Sequence, residues 1–269
     1  MKTVAVIGCG FVGGTTATFL EERDVNVIRV DPVHYPKQSI EQAIKKADGC
    51  IIAVPTPQGV RGECDDTIVV DVINKIGKKL PILLKSTVTM DKLKRYPNNV
   101  IYNPEFLRER CAMEDFINAD FQIFGAENND LQAHQWAELF QDAYARDLKV
   151  IDVHFVNRIT ASMIKYVHNS WLATKVAWFH ELYRNLPNSV DYNELVSILG
   201  GFKHIGDNHM QAPNHDGGLG YGGACFPKDV SALLQVMEHS ILSDVHDHNR
   251  ILTMMGESIG RYVEETEVA

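Results

Sequence analysis

The sequence predicts an α/β chain: a doubly wound, mostly parallel sheet followed by an all-helical domain with a long central helix. Three observations predict it. Short β-rich runs alternate with helical stretches as far as Ile151, the first run breaks at a glycine turn, and from about Phe155 the periodicity is helical throughout.

The run at residues 3–7 leads into Gly8-Cys9-Gly10-Phe11-Val12-Gly13-Gly14 and then into helical composition from Thr15 to Arg23. In a strand, glycine turn and helix of this kind the glycines permit a tight turn, close approach of backbone to a pyrophosphate, and close helix-on-strand packing. The unpaired N–H groups at the helix start then face the phosphates. A second run, Val25 to Val30, ends at Asp31, near the offset at which an acid accepts hydrogen bonds from an adenosine ribose. Its charge would repel a 2′-phosphate, which favours NAD over NADP. The first domain is therefore expected to be a Rossmann-like, NAD-binding one.

Further along, Ser39 to Ala47 is helical, and Cys50 to Val54 is a strand that stops at Pro55-Thr56-Pro57. A helix is expected over Asp66 to Lys79. Strands are expected at Pro81 to Lys85, before Ser86-Thr87-Val88, and at Val100 to Tyr102, before Asn103-Pro104-Glu105. Phe121 to Phe124 and Leu148 to Ile151 supply two more strands around a helix at Leu131 to Ala143. Such alternation implies parallel strands with right-handed crossovers, and ligands bind at the carboxyl ends of parallel strands. The glycine turn, Pro55-Thr56, Ser86-Thr87 and Glu105 all fall there. The expected domains are residues 1–153 and 154–269.

The helix from about Phe155 to Tyr183 places Lys165 and Asn169 at i and i+4, on one face. A lysine among apolar neighbours either snorkels to water or is desolvated for a purpose. The same helix is apolar enough to offer a second face to another copy, so a homodimer is expected. A shorter helix follows at Val190 to Leu199. Gly217-Gly218-Leu219-Gly220-Tyr221-Gly222-Gly223-Ala224-Cys225-Phe226-Pro227-Lys228-Asp229 then sets a run of glycines ahead of a thiol. The stretch is either a floppy surface loop or the approach to an activated nucleophile at a helix start, with Asp229 one turn on.

Composition bounds the function classes. With 45% apolar and 23% charged residues the chain is globular, and a net charge of −9 argues against a nucleic-acid partner. No apolar run is long enough to cross a bilayer, and the N-terminus has no signal-peptide cleavage region, so no membrane partner and a cytoplasmic location are expected. Cys9, Cys50, Cys64, Cys111 and Cys225 are an odd set without a Cys-x-x-Cys pair, which fits neither a disulfide framework nor zinc. The histidines lack metal-ligand spacing, and no metal is expected.

Taken in order, the glycine turn, Val54-Pro55-Thr56-Pro57, Lys85-Ser86-Thr87-Val88, Asn103-Pro104-Glu105-Phe106-Leu107-Arg108-Glu109, Lys165 with Asn169, and Gly222 to Asp229 resemble the UDP-glucose and GDP-mannose 6-dehydrogenase family over nearly the whole chain. The resemblance implies oxidation of a sugar primary alcohol to the acid with two NAD molecules. Cys225 would attack the intermediate aldehyde, and Lys165 and Asn169 would stabilise the oxyanion. Asp229 would orient Lys165 or water, while Glu105, Glu109 and Thr87 would position water and move protons. It also assigns cofactor contacts to Gly8, Gly10, Phe11, Val12, Gly13, Asp31, Pro55, Thr56, Thr87 and Glu109. Substrate contacts fall to Glu105, Phe106, Leu107, Arg108, Lys165, Asn169 and Gly222.

Three departures stand beside the match. Members usually carry a third domain that grips the nucleoside diphosphate, which is expected to be lacking here. The connection from Asp31 to Ala47 is short, and His209 stands where an arginine is expected. The substrate is expected to be a sugar or nucleotide sugar. Alternatives are a 3-hydroxyacid or 6-phosphogluconate type dehydrogenase, which needs no thiol, and a non-catalytic NAD-binding module.

Overall fold

The computed structural model describes residues 1–127, 130–237 and 240–266, the side chains of Glu109 and of residues 257–266 excepted. Packing divides the chain into two compact units, Met1–Gly59 with Cys64–Lys165, and Val60–Glu63 with the chain from Tyr166 onward.

The first unit holds a seven-stranded sheet. Its strands are β1 (Thr3–Ile7), β2 (Asn26–Val30), β3 (Gly49–Ile52), β4 (Ile82–Leu84), β5 (Val100–Tyr102), β6 (Phe121–Gly125) and β7 (Asp152–Val156), in the order β2-β1-β3-β4-β5-β6-β7. The helices between them are α1 (Phe11–Glu21), α2 (Ile40–Ala43), α3 (Thr67–Ile76), α4 (Met90–Leu93), α5 (Ala112–Ile117) and α6 (Leu131–Ala145). Ser39 caps α2 by accepting from the Gln42 amide, and Asp130 caps α6 by accepting from the Gln132 and Ala133 amides.

Alternation along each strand sends side chains to two faces, and both faces are buried. Val4, Val6, Ile51, Leu83 and Ile101 pack with α1, α5 and α6 through Phe19, Leu20, Phe116, Trp136 and Phe140. Ala5, Ile7, Cys50, Ile52, Ile82, Leu84 and Tyr102 pack on the other face with Val69, Val72, Ile73 and Ile76 of α3. Strand order reverses at β1, whose neighbours are β2 and β3, so the carboxyl ends of β1 and β3 open the crevice at which such sheets bind ligands.

One expectation needs correction. Leu148 to Ile151 is not a strand. Leu148 takes a left-handed conformation (φ 57°) in the turn after α6, and Val150 is 91% exposed, so the strand begins at Asp152, in register with Phe121 of β6. The apolar residues that suggest pairing belong to the turn. The sheet is mostly parallel, as expected: only β6 runs antiparallel to its neighbour β5, with Tyr102 opposite Gly125.

A 28-residue helix, α7 (Arg158–Asn185), begins in the first unit and continues into the second. Its opening turns pack Ile159, Ala161 and Ile164 against the core of the sheet, and the first unit extends to Lys165. The second unit is helical, with α8 (Tyr192–Gly200), α9 (Phe226–Leu234) and α10 (Ile241–Thr266). Phe179, Tyr192, Met210 and Ala212 form its apolar cluster, and the Tyr192 hydroxyl donates to the Met210 carbonyl at 2.6 Å.

Candidate active site

The crevice at the ends of β1 and β3 is lined by the glycine turn, where backbone packs too closely for side chains at Gly8 and Gly13. Gly8 sits at φ 85°, and a Cβ there would lie 2.5 Å from the Ala53 carbonyl oxygen. At Gly13 a Cβ would meet the Gly8 oxygen at 1.9 Å, so only glycine lets α1 approach the strand. A Cβ on Gly10 would meet nothing within 4 Å, which leaves an open approach to the backbone. Gly10 begins α1 without a side-chain cap, and no acid occupies the first turn, which holds the half-buried Phe11 and Val12. These residues fit NAD, whose pyrophosphate would take the uncapped amides.

Asp31 follows β2. Burial works to raise its carboxyl, but hydrogen bonds from the Cys9, His34 and Val33 amides bring it down to about 2. It therefore stays ionised, an acceptor for ribose hydroxyls. Pro55 is exposed and Thr56 buried beyond β3. Thr87 is half-buried after β4, where its carbonyl accepts from the Cys64 thiol, and the neighbouring Ser86 hydroxyl donates to the Val54 carbonyl at 2.8 Å. Cys9, inside the turn, is pushed up to about 11, chiefly by burial, and stays a neutral thiol.

The ends of β4 and β5 build a buried charged cluster. Lys165 of α7 is 3% exposed, and its ammonium donates to the Glu105 carbonyl at 2.6 Å and to Glu105 Oε1 at 2.9 Å. The Leu107 amide donates to Glu105 Oε2. Burial pushes the Glu105 carboxyl up, yet Lys165, the Leu107 amide and Lys85 more than offset this and leave it below its usual range. Desolvated rather than snorkelling describes Lys165. Phe106 lies 5.5 Å from the Lys165 ammonium, and Leu107 is half-buried. Arg108 is exposed and engaged by Asp115 through its guanidinium and amide. Glu109 opens a turn of 3-10 helix, and its side chain lies outside the described residues.

Within the second unit, Cys225 is the N-cap residue of α9, with Pro227 at the opening of the helix; the Asp229 amide donates to the Cys225 carbonyl at 2.9 Å. Cys225 is exposed, as is Gly222, and none of the five cysteines is in a disulfide. Asp229 is 1% exposed. Its Oδ2 accepts from Asn169 at 2.6 Å and its Oδ1 from Lys228 at 2.5 Å, whereas the expectation gave Asp229 the task of orienting Lys165 or water.

The glycine-rich approach to Cys225 is anchored, not floppy. The Gly220 amide donates to His180 Nδ1 at 2.9 Å, and the Tyr221 amide donates to Asn249 Oδ1 at 2.6 Å. The Asn249 amide nitrogen returns a bond to the Tyr221 carbonyl. His209, at φ 64°, has its ring 5.7 Å from that of Phe226 and tilted 48° to it.

Lys85, Asn103, Lys228, His180 and Asn249 carry no role in the sequence reading. The first three lie inside the quoted motifs, beside residues that do. Nothing local marks the last two. Among the described residues no group of histidine, cysteine and acidic side chains could hold a metal, and no helix is long and apolar enough to cross a membrane.

A switch-point glycine crevice suited to NAD, on a doubly wound sheet followed by a helical unit, defines a nicotinamide-dependent dehydrogenase. Residues 33–144 match the NAD-binding domain of the UDP-glucose/GDP-mannose dehydrogenase family, and residues 159–250 match its central domain. The chain belongs to that family. It is 30% identical to a UDP-glucose 6-dehydrogenase of Bacillus subtilis, over 98% of this chain and 68% of that one. With a UDP-glucose 6-dehydrogenase of Rickettsia prowazekii it shares 31% identity over 92% of this chain and 67% of the other. A solved UDP-glucose dehydrogenase of Pyrobaculum islandicum superposes with a TM-score of 0.77 at 25% identity, covering 93% and 68% of the two chains. In fold alone, a 3-hydroxyisobutyrate dehydrogenase of Mycobacterium tuberculosis is similar, with a TM-score of 0.65 at 16% identity over 92% of each chain.

Proposed function

We propose that the chain oxidises the primary alcohol of a sugar, carried as a nucleotide sugar such as UDP-glucose, to the carboxylate through a covalent adduct on Cys225. Bound NAD would accept a hydride at each of the two oxidation steps. In the first step the alcohol carbon loses that hydride and its hydroxyl proton passes to a base, giving the aldehyde. The Cys225 sulfur then adds to the carbonyl carbon as a thiohemiacetal. A second hydride leaves that carbon, giving a thioester, and water cleaves it to the acid and the thiol. Two NAD molecules and one water are consumed per substrate.

Lys165 steadies the developing alkoxide, and Glu105, held ionised, accepts protons or aligns water. Asn169 supplies a neutral donor, and Thr87 and Glu109 serve proton transfer and water positioning. The glycine turn with Asp31, Pro55 and Thr56 holds the cofactor, while Phe106, Leu107, Arg108 and Gly222 contact substrate.

The observation that carries the reading is Cys225: an exposed thiol on the N-cap residue of α9, after a loop held by hydrogen bonds at Gly220 and Tyr221, with buried Asp229 one turn further on. A helix N-terminus favours negative charge on such a sulfur. The test is stoichiometric. Purified protein with NAD and a panel of UDP-, GDP- and free sugars should form two NADH per substrate consumed, and Cys225→Ser should abolish acid formation. One NADH per substrate, with full turnover in the serine variant, would instead support the 3-hydroxyacid type of reaction. No NADH with any sugar would leave a binding module.

The working form is a homodimer in the cytoplasm. Val167, Trp171 and Trp178 lie at i, i+4 and i+11 on α7 and are 50%, 64% and 63% exposed, an apolar stripe suited to a second copy. Light scattering at micromolar concentration should give twice the chain mass; a monomer rejects the dimer.

A further inference from the structure

Lys85 lies just beyond β4 and is fully buried, although it is a lysine. Its ammonium donates to Asn103 Oδ1 at 2.6 Å and lies 5.4 Å and 5.6 Å from the ring centres of Phe116 and Phe140. Asn103 in turn donates to Gln122 Oε1 and to the Ile123 carbonyl, and its own amide donates to the Leu84 carbonyl. Asn103 stands two residues before Glu105, so Lys85 grips the end of β5 that presents the carboxylate.

A buried lysine is expensive, and an apolar chain of the same size would fill the space without that cost. Here the charge has a use. Lys165 approaches Glu105 from α7, and Lys85 contributes a second positive field from the side of the sheet. One carboxylate answers to two ammonium groups.

We propose that Lys85 is a positioning residue of the reaction, a buried ammonium that keeps Glu105 ionised and fixes the end of β5 through Asn103. This rests on the role given to Glu105 above. The charged groups facing Lys85 are Glu105 from the segment after β5 and Lys165 from α7. From α5 and α6 it meets the rings of Phe116 and Phe140, and from β6 it meets Gln122 through Asn103. Tyr144, near that glutamine, is kept neutral by burial.

The sign follows from the chemistry. Removing the Lys85 charge makes Glu105 easier to protonate, so the acidic limb of the kcat profile moves to higher pH. Lys85→Gln tests this because the amide can still donate to Asn103 while the charge is gone. Lys85→Met removes both, and is read in its place if the glutamine variant does not fold. Lys85→Arg, which keeps the charge, should leave the limb where the wild type has it. A lysine that only fills space would lower kcat at every pH and leave the limb unmoved; that result in Lys85→Gln overturns the proposal. Glu105→Gln separates the two readings. If it retains full activity and the wild-type acidic limb, the role of Glu105 is wrong; if it removes the limb while Lys85→Gln leaves it in place, only the role of Lys85 is.

Discussion

Replacing Lys85 with methionine should change how stability depends on pH, with a sign and size that follow from its burial. Burial pushes the Lys85 ammonium down from 10.5 to about 8, with Glu105 opposing and Lys165 adding to the fall. At 1.36 kcal/mol per pH unit this difference corresponds to about 3 kcal/mol that the folded state forgoes by holding the charge. The folded group releases its proton before the unfolded one does. Below pH 8 both states are charged and the full penalty applies; between 8 and 10.5 the folded lysine is neutral while the unfolded one is not, so stability rises with pH. Other groups titrate in the same range with the opposite sign, since burial pushes Cys9 up to about 11 and Cys50 up to about 12. The difference between wild type and Lys85→Met cancels them. Urea unfolding followed by tryptophan fluorescence should find that wild type gains about 2 kcal/mol on the variant between pH 7 and pH 9.5. At pH 7 the two should be of similar stability, because relief of the penalty is offset by about 1–3 kcal/mol for leaving Asn103 Oδ1 unpaired. A difference that stays flat over that interval would refute the claim that the Lys85 charge is penalised by the fold.

Lys165→Met removes one partner of a buried pair and leaves Glu105 ionised without its direct cation. It should destabilise the protein by about 3–5 kcal/mol at pH 7, measured by the same unfolding, and abolish NADH formation. Gly13→Ala puts a methyl group 1.9 Å from a backbone oxygen that cannot swing away, so α1 must shift from the sheet. NAD affinity measured by calorimetry should fall at least about 100-fold, in line with nearly 3 kcal/mol lost at the pyrophosphate, and unchanged affinity would show that the turn does not hold the cofactor.

What was legible in the sequence is what local rules impose. Gly8 and Gly13 are readable because each occupies a place that a side chain cannot, and the start of α9 is readable because Pro227 and Asp229 belong in a first turn. Lys165 was only half readable. Periodicity puts it on a helix among apolar residues, but whether it snorkels depends on Glu105, 60 positions away. The same distance problem hides the order of the glycine loop, whose anchors His180 and Asn249 lie 40 and 28 positions from the amides they hold. Leu148 and Val150 mislead for a different reason: strand-like composition says nothing about pairing, and the pairing with β6 begins at Asp152. The reversal at β6 likewise has no local mark, since a strand looks the same in either direction.

The interior itself separates structure from chemistry. Both faces of the sheet are lined by aliphatic and aromatic side chains, which suffice to hold it. Against that background stand Lys85, Glu105 and Lys165 in one unit and Asp229 with Asn169 in the other, all buried. Apolar replacements of whole buried ion pairs are often neutral or stabilising, so stability gives no reason to keep charges in such places. Gly8 at the crevice and Gly220 and Gly223 ahead of Cys225 take left-handed conformations, as do residues elsewhere such as Gly62, Gly77 and Leu148. Departures from the cheapest local choice are expected where a fold trades stability for a reaction. Lys85 meets that criterion as fully as Lys165 does, and for this reason it belongs with the working residues rather than with the core that surrounds it.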